Sequence, residues 1–380
     1  MFSDKNLKSF YEGKRVLVTG DTGFKGSWLV CWLNQLGAKV YGFGLPPYTS
    51  PSLFEVLQLE GKIEHTLLDI RNPIEVQDYI KKVRPEVVFH LAAQAIVRLS
   101  YFNPLETLHT NFLGTANLLH AINVAGYNAL NPCTIVVVTS DKCYENRETI
   151  YPYEENDRMG GSDIYSVSKG ATELLLTAWH KTYLSKTDKL TQSILMGSCR
   201  AGNVIGGGDW SADRIMPDSI RSLIKNETIK VRNPNSIRPW QHVLDPLSGY
   251  LQTGVYLTLN KNTENSYRNV WNFGPGENSE LSVSELCDSI IRHWGSGDWM
   301  QIEELTAPNE SRYLKLSNHK AFNTIGWQPI WGFEESVEKT ISWYRLASDS
   351  NYNSETMLSK TMDQIQQYQH DASLINLQPK

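Results

Sequence analysis

Tyr165 and Lys169, in Tyr165-Ser166-Val167-Ser168-Lys169, are the residues of this sequence whose types and spacing promise the most chemistry. Four residues apart on a helix, both side chains lie on one face. An ammonium beside a phenol favours tyrosinate and lowers the phenol's pKa. The pair would be a base able to take a proton from an alcohol while a hydride leaves the alcohol's carbon. Upstream stands Ser140, at the end of a β-branched run over 134–139, and further upstream stand Gly20, Gly23 and Gly26. Glycines directly after a short apolar strand allow a tight turn and a close approach of backbone to a pyrophosphate, with the free N–H groups of the next helix aimed at it. Each signal alone has a plain structural explanation. A Tyr-x-x-x-Lys spacing is common on solvated helix faces, and a glycine turn can join any strand to any helix. Their order along the chain points to a dinucleotide and to what is done with it.

Elements must position these residues. Residues 14–19 read Lys-Arg-Val-Leu-Val-Thr, a short buried strand ending at Gly20. Residues 24–36 follow with helical apolar spacing at Trp28, Leu29, Trp32, Leu33 and Leu36, and Gly37 is a helix stop. A second strand is expected over 39–43. The alternation continues with a strand at 65–68 and a helix at 73–83 opened by Pro73. A strand at 86–90 leads into Leu91-Ala92-Ala93, and a long helix covers 105–124. Strand 134–139, the Tyr/Lys helix 163–182 and strand 193–200 complete the series. Strands alternating with helices imply a parallel sheet covered on both faces. The expected fold is α/β, a Rossmann-type doubly wound parallel sheet with a smaller C-terminal substrate-binding lobe. After Arg200, glycines at 202 and 206–208 and prolines at 217, 234 and 239 break the rhythm. Residues 14–200 are expected to form the dinucleotide-binding domain, with returns near 240–273. Residues 201–345 would form most of the lobe, and 346–380 a peripheral tail, partly disordered or helical.

Composition narrows the function classes. The 380 residues are 41% hydrophobic and 20% charged with a net charge of −5, an ordinary globular balance. No Lys/Arg run is present, which argues against a nucleic-acid partner. The cysteines, Cys31, Cys133, Cys143, Cys199 and Cys287, are scattered and lack a Cys-x-x-Cys pair, which favours a reducing compartment over structural zinc. The histidines show no metal-ligand pattern, so no metal is expected. The polar N-terminus is not a secretory signal, and no apolar run is long enough to span a bilayer. The expected location is cytoplasmic.

In Gly20-Asp21-Thr22-Gly23-Phe24-Lys25-Gly26, the glycines with Thr22, Phe24 and Lys25 are the candidates for cofactor contact. Lys25 is either a charge near phosphates or a solvated lysine at the helix start. An acidic residue at the end of the second strand would favour NAD by binding the ribose hydroxyls. Residues 42–46 read Gly-Phe-Gly-Leu-Pro, with no carboxylate, so residue chemistry leaves NAD and NADP open. Asp69 and Ile70, after the third strand, could meet the adenine edge; alternatively Asp69 caps the helix at Pro73.

Longer stretches carry a resemblance. They are 18–28 around the glycine turn, His90-Leu91-Ala92-Ala93-Gln94, Thr139-Ser140-Asp141-Lys142-Cys143-Tyr144, and Gly160-Gly161-Ser162-Asp163-Ile164-Tyr165. Two more lie at 200–210, from Arg200-Ala201-Gly202-Asn203 to Asp209-Trp210, and at 238–243, Arg238-Pro239-Trp240-Gln241-His242-Val243. Together they resemble the extended short-chain dehydrogenase/reductase family, from Lys14 to Tyr344, and within it the branch of sugar-nucleotide 4,6-dehydratases that acts on CDP-glucose. The resemblance implies NAD as cofactor, held by the glycine turn, by Leu91, Ala92, Ala93 and Asn111, and by Tyr165 and Lys169. It implies a nucleotide-sugar substrate, CDP-glucose, with Gln94, Asn203, Arg214, Arg232, Arg238 and His242 on the substrate side. Guanidinium groups suit a diphosphate because they grip it bidentately. A homodimer or homotetramer is implied as well, through a four-helix contact of the 105–124 and 165–182 helices, although core packing would account for the same apolar residues.

Two positions depart from the wider pattern. Ser140-Asp141-Lys142 stands where sugar-nucleotide dehydratases usually carry Thr-Asp-Glu, and Lys for Glu is typical of the CDP-glucose branch. Asp21 stands where that branch usually has His, and a carboxylate beside a pyrophosphate is unfavourable unless it turns away. The implied chemistry has three steps. Tyr165 takes the proton from the hydroxyl on carbon 4 as a hydride passes to NAD; Ser140 hydrogen-bonds that oxygen and Lys169 holds Tyr165 anionic. A base, with Lys142 the candidate, removes the proton on carbon 5 while Asp141 protonates the departing hydroxyl on carbon 6. Alternatively Lys142 only stabilises an enolate. The hydride then returns to carbon 6, giving a 4-keto-6-deoxy sugar for deoxysugar synthesis of the O-antigen polysaccharide type. A sugar-nucleotide 4-epimerase shares the fold, NAD and the Tyr/Lys pair but needs no acid for water loss. A non-catalytic nucleotide-binding regulator would have no use for Ser140, Tyr165 and Lys169 together.

Overall fold

A computed structural model of the chain describes residues 4–184, 193–260, 269–276, 279–303, 314–349 and 352–375. Helix α1 (Asp4–Tyr11) precedes the first strand and is pinned to the core by Tyr11, whose hydroxyl donates to the Leu251 carbonyl at 2.7 Å. Strand β1 (Arg15–Thr19), helix α2 (Phe24–Gln35) and strand β2 (Lys39–Gly44) form the first unit. Helix α2 is buried over most of its length, Gly26 to Leu33, which explains its weak polar/apolar sidedness: it is covered on more than one side. A short helix α3 (Leu53–Val56) leads to β3 (Glu64–Leu67), α4 (Pro73–Val83) and β4 (Val87–His90). Asn72 caps α4 by accepting from the N–H groups of Ile74 and Glu75, so the cap is Asn72 and not Asp69.

The long helix expected over 105–124 is interrupted. Helices α5 (Val97–Phe102) and α6 (Pro104–Leu108) are followed by a π-turn at His109–Leu113 and then α7 (Gly114–Val124). The extra residue of a π-turn shifts side-chain directions within a helix, a device frequent at functional sites. Strand β5 (Cys133–Val138), helix α8 (Ile164–Trp179) and strand β6 (Ile194–Ala201) complete the regular alternation. Beyond it lie α9 (Ile215–Ile224), β7 (Ile229–Val231), β8 (Ile237–Pro239), α10 (Leu244–Leu259) and β9 (Val270–Phe273). The last elements are β10 (Glu280–Ser282), α11 (Val283–Trp294), β11 (Trp299–Gln301), α12 (His319–Ile325), α13 (Phe333–Ala347) and α14 (Ser354–Ile375).

Among the described residues seven strands form one sheet in the order β3-β2-β1-β4-β5-β6-β9, every pairing parallel. The direction of winding reverses between β1 and β4, so a crevice opens at the carboxyl ends of those two strands. Register there is tight, with Thr19 beside Phe43 on one side and His90 on the other. One face of the sheet packs on α4, α7 and α8. The other packs on α2 and α10 in a cluster that runs on through Ile220, Ile229 and Leu286 of the late elements. Strands β8 and β10 pair antiparallel, and β7 and β11 pair parallel, apart from the main sheet.

The stretch beyond residue 345, expected as a peripheral tail, holds the 22-residue helix α14. Met357, Ile365 and Tyr368 of α14 are buried in the main core against α2 and α13. Its polar composition hid this, because only one narrow stripe is apolar and part of the contact is hydrogen-bonded: Tyr368 donates to Asp245 and Trp343 to Thr361. Among the described residues no helix is long and apolar enough to cross a membrane.

Candidate active site

The glycine turn links β1 to α2 at the mouth of the crevice. Gly20 has φ +73°, and a Cβ there would stand 2.8 Å from the Ala92 backbone. A Cβ on Gly26 would stand 2.1 Å from the Gly20 carbonyl oxygen. Only glycine lets the turn press against the Leu91–Ala92 segment after β4 while α2 starts directly on it. No side chain caps the first turn of α2, so its N–H groups are open toward the crevice. A turn packed this closely, next to uncapped helix donors, fits the pyrophosphate of a dinucleotide. The β1/β4 junction is fixed from below by His90. Its Nδ1 lies 2.7 Å from Thr19 Oγ1 and its Nε2 2.9 Å from Thr115 Oγ1, and burial lowers its pKa to about 3, so it is a neutral bridge. Thr19 Oγ1 in turn accepts from Ala92 N–H. The sequence matches included His90 but gave no sign of this role, because Thr115 comes from a helix 25 residues later.

The reacting groups meet at the carboxyl end of β5. Ser140 caps a 3₁₀ turn at Asp141–Cys143, accepting from Lys142 N–H at 3.2 Å and donating to Asp141 Oδ1 at 2.9 Å. Asp163 caps α8 by accepting from Ser166 N–H, which starts the helix one residue before Tyr165. Ser140, Asp141, Tyr165 and Lys169 are each less than a tenth exposed. The Tyr165 phenol feels Ser140, which pulls its pKa down, and Lys169 Nζ lies 6.0 Å from the centre of the Tyr165 ring. The expectation that the ammonium lowers the phenol's pKa does not hold for the free chain. Burial pushes Tyr165 up to about 12 against the pull of Ser140 and Arg214, while burial also lowers Lys169 to about 8. In a dry pocket the loss of hydration acts on both charged forms at once and is the largest influence on each.

Burial also raises the Asp141 carboxyl, against the opposing pull of Lys142, the Ser140 hydrogen bond and Lys25. Its Oδ2 faces Gly202, whose missing Cβ would be 3.0 Å away. Gly202 is thus part of the site, a role the sequence reading missed. Lys25, half-buried in the first turn of α2, feels Arg214, Asp141, Lys169 and Asp209, and burial lowers it to about 8. It faces the reacting groups and is not a solvated helix-start lysine.

The remaining candidates divide. Arg214, at the start of α9, pairs with Asp209 at 2.9 Å and acts electrostatically on Tyr165 and Lys25. Arg232 and Arg98 both pair with Asp213, at 3.8 and 2.9 Å. Arg238, on β8, donates to the Ile237 carbonyl, and Asn203 is exposed after β6. Other candidates have their polar groups engaged within the protein. Asn111 donates to Ser168 Oγ and the Gln94 carbonyl and accepts from Gln94 N–H, so it braces α8 against the loop after β4. Gln94 donates to Thr107 and accepts from Ile96 N–H, which holds its own loop. His242 is a correction: it is fully buried between Trp28 and Trp331, with centroid distances of 5.9 and 4.8 Å, and belongs to the core. At the adenine edge, Asp69 pairs with Arg71 at 2.6 Å, and Ile70 is buried against Gly114. Thr22 donates to the Leu45 carbonyl.

Comparison with known proteins agrees with this geometry. The family model for GDP-mannose 4,6 dehydratase matches residues 17–340. The chain belongs to the GDP-mannose 4,6 dehydratase family. It is 44% identical over 339 residues to the CDP-glucose 4,6-dehydratase of Salmonella typhimurium, covering 89% of this chain and 92% of that protein. Identity to a dTDP-glucose 4,6-dehydratase of Xanthomonas campestris is 25% over 342 residues, covering 86% and 92%. Among solved structures, UDP-glucose 4-epimerase of Thermotoga maritima with UDP-glucose superposes with a TM-score of 0.73 at 21% identity, over 88% of this chain and all of that one (100%). The dTDP-glucose 4,6-dehydratase of Bacillus anthracis in complex with NAD gives 0.69 at 21% identity, over 88% and 97%. At these identities the structural likeness establishes the α/β fold, and family membership comes from the sequence match.

Proposed function

We propose that this chain is a hydro-lyase that converts CDP-glucose to CDP-4-keto-6-deoxyglucose and water, with NAD bound at the glycine turn. The observation that carries it is Asp141: a buried carboxyl with a raised pKa, hydrogen-bonded to Ser140, whose hydroxyl also acts on Tyr165. A 4-epimerase has no need of an acid there, and a non-catalytic binder has no need of the cluster. The relative at 44% identity supports the choice of nucleotide and of reaction.

Bound NAD would supply the hydride acceptor at carbon 4 and the donor at carbon 6. The chain supplies the proton chemistry. Tyr165 takes the proton of the carbon 4 hydroxyl, with Ser140 holding the same oxygen. Arg214 favours the phenolate that burial opposes, and Lys169 stands 6.0 Å from the same ring. Asp141, kept protonated by burial, gives its proton to the hydroxyl leaving carbon 6. Lys142, half-buried beside it, is the candidate for the carbon 5 proton. Arg98 and Arg232, held ready by Asp213, and Arg238 suit the diphosphate.

The five cysteines are all buried and unpaired, which supports a cytoplasmic location. Phe102, Leu105, Leu113 and Leu174 are exposed apolar residues on α5 to α8, which supports a homodimer formed through those helices. The functional test is incubation with CDP-glucose, UDP-glucose, dTDP-glucose and GDP-mannose, with and without added NAD. Loss of one water from CDP-glucose alone, without free NADH accumulating, is expected. An unchanged mass with inverted carbon 4 would replace this assignment with an epimerase.

A further inference from the structure

Asp21 has no part in the chemistry above, yet it is fully buried in the glycine turn. Its side chain turns away from the α2 N-terminus and lies across the end of β2. A Cβ on Gly42 would stand 2.0 Å from Asp21 Oδ2, and a Cβ on Gly44 would stand 3.1 Å from Oδ1. The two glycines at the end of β2 therefore leave room that the Asp21 carboxylate fills. Beyond them Oδ2 meets His65 Nδ1, on β3, at 2.7 Å, and the His65 ring is backed by Phe54 at 5.0 Å. Oδ1 is buried and has no hydrogen-bond partner. A buried acceptor left unpaired costs free energy unless a ligand completes it.

The end of the second strand is where a carboxylate receives the adenosine ribose hydroxyls of NAD in dinucleotide folds. This chain has no acid on β2 itself. Resting on the NAD assignment above, we propose that Asp21 is the residue that selects NAD over NADP, a carboxylate delivered from the glycine turn to the end of β2 that lacks one. His65 takes one oxygen on the β3 side and fixes the orientation, so the free oxygen stays on the side of Gly44. A ribose 2′-hydroxyl can donate to that oxygen. A 2′-phosphate can only accept and brings negative charge to a carboxylate that cannot move away. His65 is a positioning residue in this arrangement, and the glycines at 42 and 44 are a condition of it.

The test is calorimetric titration of the purified full chain with NAD and with NADP, which reads affinity without turnover. Asp21→Asn keeps the size of the side chain and is expected to lower the ratio of the NADP to the NAD dissociation constant by ~10-fold, chiefly through tighter NADP. A second variant guards against a damaged turn: Asp21→Gly combined with Gly44→Asp returns an acid to the strand and is expected to restore the preference that Asp21→Gly alone loses. Parallel changes in both affinities, with the ratio constant in every variant, would overturn the selectivity role and leave the NAD assignment standing. Failure of the unaltered chain to bind either dinucleotide would overturn the NAD assignment and this role with it.

Discussion

Asp21 and Asp141 occupy comparable places and do different things. One follows Gly20 after β1, the other Ser140 after β5, and β4 lies between those strands. Both are buried, and burial raises both carboxyls. The difference lies in what faces them. Asp21 meets an imidazole at 2.7 Å, whose own pKa the carboxylate raises. Asp141 meets a neutral hydroxyl at 2.9 Å and feels Lys142 and Lys25 only through space. The contact with His65 favours the charged carboxylate and opposes part of what burial does to Asp21. A carboxyl held by a hydroxyl, with cations at a distance, can lose and regain a proton within a reaction cycle. Burial is common to both aspartates, and the partner separates them.

The largest break in this comparison is Asp141→Asn, which keeps the shape and removes the proton. Water loss from carbon 6 is expected to fall ~10²–10⁴-fold in kcat, the usual worth of a positioned acid. Removal of hydride from carbon 4, followed with substrate deuterated there, should fall much less. In the unaltered enzyme the rate should decline as pH rises through the raised Asp141 pKa, because the acid works only when protonated. Equal loss of both steps would show that Asp141 shapes the site instead of donating a proton.

Asp245 sharpens the comparison as a third buried carboxyl. Its Oδ1 accepts from the Tyr368 hydroxyl and the Ile330 N–H, each at 2.8 Å, and Oδ2 has no partner. With neutral partners only, burial pushes it up to about 7. Its folded pKa lies above the unfolded value of ~3.9, so its contribution to stability is complete below that value and is lost as pH rises through about 7. Asp245→Asn keeps an oxygen for both donors and abolishes this titration. Thermal unfolding from pH 5 to pH 8 should show the unaltered protein losing ground against the variant, by an amount on the order of a few kcal/mol. A gap independent of pH would mean that Asp245 stays ionised when folded.

The sheet was legible because strand and helix periods alternate without interruption to Arg200, and helix 73–83 was readable to the residue from Pro73 and its spacing. The π-turn at 109–113 was not, because one inserted residue leaves apolar periodicity nearly unchanged. A helix was among the readings of the stretch beyond 345, but its docking was not foreseen, because hydrogen bonds from Tyr368 to Asp245 and from Trp343 to Thr361 carry part of it, and polar residues look like solvent-facing ones in a sequence. At the site, motif order located Ser140, Asp141, Tyr165 and Lys169. It could not give the sign of the Tyr165 shift, which depends on burial, or the contact of Asp21 with His65, which crosses 44 residues of sequence. His242 was grouped with the substrate residues because it falls in the resembling stretch 238–243, yet the chain turns it inward between two tryptophans.

The smallest test touches Asp141 without altering it. Gly202 lies outside the set of positive-φ glycines, so its backbone accepts alanine. The new Cβ would stand 3.0 Å from Asp141 Oδ2 and 3.8 Å from Pro239 Cγ, so the carboxyl must give way by a few tenths of an ångström. The methyl also displaces any water from that oxygen, and further desolvation raises a carboxyl pKa. Gly202→Ala should therefore lower kcat by less than about tenfold while moving the alkaline limb of its pH profile upward. The matching change on the other carboxylate, Gly44→Ala, brings a Cβ within 3.1 Å of Asp21 Oδ1 and should leave that limb in place, because Asp21 is held by His65 and takes no part in the proton steps. A limb that moves equally in both variants would assign it to a group other than Asp141, and the distinction between the two aspartates would then rest on binding alone.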